Sequence, residues 1–108
     1  MNAHVIAIIL TAVFLPGFPA FADAGKAKYE EVCASCHGVE GHADTKKGKK
    51  MKAADYREVA ELKGPDAALH IKKTVRENKK HKSVSKKVSD EDLASIAQYL
   101  QSMLAAQK

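Results

Sequence analysis

Tryptophan is absent from the 108-residue chain, and phenylalanine is confined to Phe14, Phe18 and Phe21. Residues 23–108 therefore hold only three large aromatics, Tyr29, Tyr56 and Tyr99. A domain that small and that poor in bulky side chains buries a limited fraction of its surface and is marginal without a staple. Cysteine is equally scarce, with only Cys33 and Cys36, so a disulfide-rich scaffold is excluded. Period-two alternation and β-branched clusters are missing, and nothing predicts a strand. Aromatics interleaved with basic residues are missing as well, which argues against single-stranded nucleic acid as a partner.

No Lys, Arg, Asp or Glu precedes Asp23. Inside that uncharged start, residues 5–15 form an apolar run, followed by Pro16, Gly17 and Pro19 and then Ala20-Phe21-Ala22. The small-x-small ending is what signal peptidase reads, and the run is too short to span a bilayer. Residues 1–22 are predicted to be a cleaved secretory signal peptide, with an uncleaved anchor as the alternative. Residues 23–108 are predicted to be one domain, exported to the periplasm and not stably inserted in a membrane.

All of the formal +5 charge belongs to that domain. Lysine dominates it in two blocks, Lys46, Lys47, Lys49, Lys50 and Lys52, then Lys72, Lys73, Arg76, Lys79, Lys80, Lys82, Lys86 and Lys87. Such a surface either keeps the protein soluble or forms a docking face for an acidic partner, whose encounter complementary charge would speed and orient.

The stretch with recognisable chemistry is Cys33-Ala34-Ser35-Cys36-His37. Cys-x-x-Cys-His is the attachment pattern of a c-type haem. Two thiols about one helical turn apart can reach both vinyl groups on one porphyrin edge as thioethers, and His37 is carried beneath the ring to the iron. Zinc held by Cys33, Cys36, His37 and His42 is a rival, although structural zinc usually bridges two separated ligand pairs. A Cys33–Cys36 disulfide is a second rival, but a redox pair would call for a βαβ surround that the periodicity does not offer.

Around this motif the chain reads as helical. A first helix spans residues 24–35 with Ala27, Tyr29 and Val32 facing inward. A lysine-rich loop follows from His37 to about Ala53. A short helix is predicted over residues 55–64, with Asp55 as N-cap and Gly64 as C′ stop. Pro65 opens a helix carrying Ala68, Ile71 and Val75 and ending near Glu77. A polar segment covers residues 78–87. In the last helix Ser89 and Asp92 form a capping box, Val88 can staple onto Leu93, and Leu93, Ile96, Ala97, Leu100, Met103 and Leu104 recur at helical spacing.

Gly25-x-x-x-Tyr29-x-x-x-Cys33-Ala34-Ser35-Cys36-His37-Gly38 at the front and residues 88–100, VSDEDLASIAQYL, at the back resemble the small class I cytochromes c, all-helical single-haem electron carriers of bacterial periplasms. The resemblance implies an all-α class I cytochrome c fold in which the first and last helices cross beside one covalently attached haem c, pairing Gly25 and Tyr29 with Tyr99 and Leu100. It implies a periplasmic electron shuttle without enzymatic activity that exchanges electrons with redox proteins; a monomer is the default expectation, and the lysine face is the candidate surface for acidic redox partners. Two departures stand out. No proline lies between His37 and Gly64 to supply the carbonyl that orients the haem histidine in relatives. The Met-Pro of the second axial ligand is missing too, and counting back seven from Val88 reaches His81.

His81 is therefore the expected sixth ligand, with Met51 the runner-up. His70 reads as a helix-surface or core histidine, His42 as too close to His37 to reach the opposite ring face, and Met103 as core. An iron ligated by His37 and His81 would sit at a lower potential than one with methionine. The alternative function is a haem protein with an open or labile sixth position, a gas-binding sensor or minor peroxidase.

Overall fold

The computed structural model describes residues 21–107, with side chains from Ala24 onward. Of the predicted signal peptide, residues 1–22, only Phe21 and Ala22 fall inside that range, and they open helix α1, Phe21–Val32. Then come α2 (Ala34–His37), α3 (Lys46–Met51), α4 (Ala67–Glu77), α5 (Lys82–Ser85) and α6 (Asp90–Ala106), with 3-10 turns at Tyr56–Glu58, Ala60–Lys63 and Lys79–His81. Among the described residues there is no strand, and no helix is long and apolar enough to cross a membrane. The architecture is all-α, as expected.

Helix α6 begins where its local chemistry dictates. Ser89 is extended, its hydroxyl accepts the Asp92 N–H at 3.0 Å, and its own N–H donates to the Asp92 carboxylate at 2.9 Å. Both orphan donors are thereby satisfied. Leu93, Ile96, Ala97 and Leu100 are buried, as is Val88 ahead of the cap, while Met103 and Leu104 pack partly against the same core.

Helix α1 crosses α6 at the shortest side chain available. A Cβ added to Gly25 would run into the Ser95 carbonyl and lie 3.1 Å from Tyr99 Cβ, so this glycine is required for space. One turn on, Tyr29 is 0% exposed. Its ring centre lies 5.5 Å from that of Tyr99 and 6.3 Å from that of Tyr56, and its hydroxyl donates to the Gly38 carbonyl at 2.6 Å. Buried phenols need such a partner, and here the partner is the residue that ends the haem-type motif. The expected pairing of the first and last helices is thus observed, although Ala27 faces solvent rather than the core.

Three local expectations are corrected. Residues 37–53 are not all loop: Thr45 caps α3 by accepting the Gly48 N–H at 2.9 Å. Residues 55–64 form two 3-10 turns in place of one helix, because Val59 between them is extended; Asp55 does cap the first by accepting the Arg57 N–H, while Gly64 is extended and not left-handed. On α4 it is Ala67 that joins Ile71 and Val75 in the core, and Ala68 is exposed. The polar segment after α4 is structured by its ends. Asn78 caps the Lys79–His81 turn, and Arg76 reaches Ser85 and the Val88 carbonyl. Arg76 and Lys72 also pair with Asp90 at 3.1 and 3.2 Å, joining α4 to α6.

Gly25→Ala should destabilise the haem-loaded protein by about 1–3 kcal/mol through overpacking, read as a lower urea midpoint; an unchanged midpoint would mean that the crossing relaxes freely. Asp90 is held below the usual carboxylate range by Arg76 and then Lys72, and Asp92 by the Ser89 backbone N–H. Folded values below the unfolded one give stability that is present at neutral pH and lost as pH falls through them, here below about pH 5. The urea midpoint should decline over that range, and less steeply in Asp92→Asn.

Candidate functional site

Cys33 interrupts the helix between α1 and α2, yet the hydrogen bonds continue through it, from Cys33 N–H to the Tyr29 carbonyl at 2.8 Å and from His37 N–H to the Cys33 carbonyl at 3.0 Å. The two thiols and the imidazole therefore ride on nearly continuous helix. Gly38, with φ of 83°, ends it in a conformation that favours glycine. Both cysteines are free and partly buried. Burial, with Cys36 nearby, pushes the Cys33 thiol up to about 12, so it is a neutral thiol and not a ready-made thiolate ligand.

Helix α3 docks directly on the motif. The Thr45 hydroxyl donates to the Ser35 and Cys36 carbonyls at 2.8 and 3.0 Å, and a Cβ on Gly48 would strike the Cys36 carbonyl. Lys52, left-handed at φ 55°, then turns the chain back, with the Ala53 N–H closing on the Gly48 carbonyl at 2.9 Å. The result is that the Ala54 carbonyl accepts from His37 Nδ1 at 2.9 Å. A carbonyl can only accept, so Nδ1 carries the hydrogen and Nε2 keeps its lone pair, the arrangement that second partners impose on metal-binding histidines. The missing proline carbonyl is thus replaced by Ala54, 17 residues beyond His37. No sequence signal marks an alanine for that task.

Across a cleft of about 230 Å³ stands His81. The His37 and His81 rings are nearly parallel, 7° apart in plane, with centres 6.2 Å apart. His37 also stacks on Tyr56 at 4.4 Å and 13°. The walls between the two imidazoles are mainly apolar, built from Val32, Val59, Leu62, Ile71, Val75 and Ile96, and Cys33 and Cys36 line the same space. Burial lowers the proton affinity of both rings; the Ala54 and Thr74 carbonyls act in the opposite sense, and His81 and Lys80 respectively reinforce the lowering. Both are held towards the neutral, lone-pair-bearing form. Nδ1 of His81 is buried without a well-formed hydrogen bond, the Thr74 carbonyl being near but not aligned.

The other candidates divide. Met51 lines the cleft and is 40% exposed at its mouth, and His70 lines it from α4, not merely the helix surface. His42 instead bonds Gln107 at 2.6 Å through Nε2 and faces Glu40. The four-ligand zinc set is therefore not assembled, and no cluster of three or more metal-binding side chains occurs among the described residues. Met103 packs against the core beside Gly41, as expected.

A family model described as cytochrome C oxidase, cbb3-type, subunit III matches residues 20–100. The chain belongs to this family. It is a small c-type cytochrome, an electron-transfer module whose domain implies covalently bound haem c and redox protein partners. Searches of curated proteins and of solved structures found no match. The cleft suits a flat, apolar, metal-centred group: two imidazoles sharing one metal through bonds of about 2 Å have ring centres about 6 Å apart, the separation measured between His37 and His81.

Proposed function

We propose that residues 23–108 are a periplasmic single-electron carrier in which Cys33 and Cys36 hold haem c as thioethers and His37 and His81 ligate its iron, after residues 1–22 are removed as a signal peptide. The observation that carries this reading is the pair of parallel imidazoles, 6.2 Å between centres, at an apolar slot beside both thiols. Bound there, haem c supplies a one-electron Fe(III)/Fe(II) couple. His37 presents Nε2 because Ala54 occupies its Nδ1, and Tyr56 fixes the tilt of the ring by stacking on it. His81 presents the opposing nitrogen. The surrounding aliphatic side chains exclude water, so little solvent reorganises when the charge changes. With His37 and His81 both holding the iron, no position would remain for a substrate, and the role would be transfer without catalysis.

The docking surface follows from where the lysines fall. Lys72 and Arg76 are paired with Asp90, which removes them from a free basic face. Lys49, Lys50 and Lys52 at the end of α3 and Lys79, Lys80 and Lys82 beside His81 are exposed, and the Lys80 ammonium reaches the Met51 carbonyl at 2.9 Å. The two basic blocks therefore meet at the cleft mouth, where an acidic redox protein would approach the cofactor edge.

His81→Ala should convert the ferric optical spectrum from low-spin to high-spin, and His81→Met should raise the midpoint potential in a redox titration, since thioether ligation does so. An unchanged spectrum in His81→Ala, with the change appearing in Met51→Ala, would transfer the ligand role to Met51. Replacing Lys49, Lys50 and Lys52 together by Glu should slow bimolecular electron exchange with an acidic redox protein about tenfold at low salt, in stopped-flow experiments, and the difference should shrink as salt is added. Equal rates would show that the charge only solubilises.

A further inference from the structure

The turn that carries His81 is thinly anchored. Lys79–His81 and α5 contribute no fully buried residue, Val84 alone packing partly against the core. Their ends are fixed on the α4 side, by the Asn78 side chain accepting the Lys80 N–H at 2.9 Å and by Arg76 reaching Ser85. Towards the opposite lip of the cleft, the hydrogen bond from Lys80 Nζ to the Met51 carbonyl spans 29 residues of chain at 2.9 Å. Among the described residues no other hydrogen bond links residues 79–85 to residues 46–54. The lip it reaches is the one that orients His37, because Met51 leads through the left-handed Lys52 to the Ala54 carbonyl that holds Nδ1. One ammonium thus joins the segment that aims one imidazole to the turn that carries the other.

We propose that Lys80 is a positioning residue: by donating to the Met51 carbonyl across the cleft mouth it fixes the gap between His37 and His81, and so holds His81 in place against displacement by small ligands. The contrast between the two histidines explains why such a tie is needed. His37 is 8% exposed, bonded at Nδ1 and stacked on Tyr56. His81 has no well-formed hydrogen bond at Nδ1, with only the Thr74 carbonyl near it, and no buried residue on its own turn, so contacts beyond its own turn bear on where it sits over the slot. The lysine stem is long enough to span the mouth, and its ammonium supplies a directional donor where a shorter side chain would leave the lips unjoined.

The inference rests on His37 and His81 both ligating the iron, and the test separates the two. Imidazole is titrated into the ferric, haem-loaded protein and its binding followed optically. Lys80→Met, which keeps the stem and loses the donor, should bind imidazole about fivefold more tightly than wild type, the scale of one lost surface-exposed hydrogen bond. Lys80→Arg, which keeps a donor of similar reach, and Lys82→Met, which removes the same charge from the other side of His81, should both stay within about twofold of wild type. Lys80→Gln, whose amide is too short to cross the mouth, carries the same expectation as Lys80→Met and replaces it should that protein fail to accumulate. An unchanged affinity in Lys80→Met, or an equal gain in Lys82→Met, overturns the positioning role, the second by showing that charge alone is at work. If His81→Ala raises imidazole affinity while Lys80→Met does not, only the tie fails; if His81→Ala leaves it unchanged, the ligand assignment fails and the tie with it.

Discussion

The contact on which the other features depend is the backbone-to-backbone crossing of α1 and α6 at Gly25 and Ser95. It brings the helices close enough for Tyr29 to be enclosed between Tyr99 and Tyr56. Enclosure obliges the Tyr29 hydroxyl to find an acceptor, and it takes the Gly38 carbonyl, which closes the end of the Cys-x-x-Cys-His helix. Tyr56, packed on Tyr29, in turn supplies the flat surface on which His37 rests. A separation set by one missing side chain is in this way passed, contact by contact, to the orientation of an imidazole.

Polarity is arranged with equal economy. The slot has an aliphatic lining and two imidazoles whose outer nitrogens lie towards backbone carbonyls, Ala54 for His37 and Thr74 for His81. The cations stay outside, on the lips, where they remain hydrated and cost little to expose. A low-polarity interior thus lies beside a positively charged rim, and such an interior suits an electron-transfer module because little solvent reorganises when its charge changes.

Much of this was legible in the residues. Cys33, Cys36 and His37 declare their chemistry by spacing, Ser89 and Asp92 declare the start of α6, and its apolar stripe declares which face turns inward. Local patterns carry such information because a helix repeats it every turn. His81 was reached by counting along a resemblance, and the structure brings it opposite His37. What was not legible depended on backbone atoms and long-range docking. The Ala54 carbonyl has no side-chain signature, α3 sits in a lysine-rich stretch whose helicity comes from the Thr45 cap and from packing on Cys36, and the extended Val59 that splits residues 55–64 follows from the path over the core. The two lysine blocks looked alike in sequence, yet Asp90 pairs with Lys72 and Arg76 of the second, while Lys80 of that block lines the cleft.

The file of rings from Tyr99 through Tyr29 and Tyr56 to His37 has a spectroscopic consequence. With no tryptophan in the chain and phenylalanine confined to its first 21 positions, ultraviolet emission from residues 23–108 comes from these three phenols alone, and all of them lie within a few ring diameters of the cofactor slot. Energy absorbed by any of them would drain to a porphyrin held there, so the folded, haem-bound protein would emit little; on unfolding Tyr56 and Tyr99 would brighten, while Tyr29, four residues from Cys33, would stay near a ring attached there.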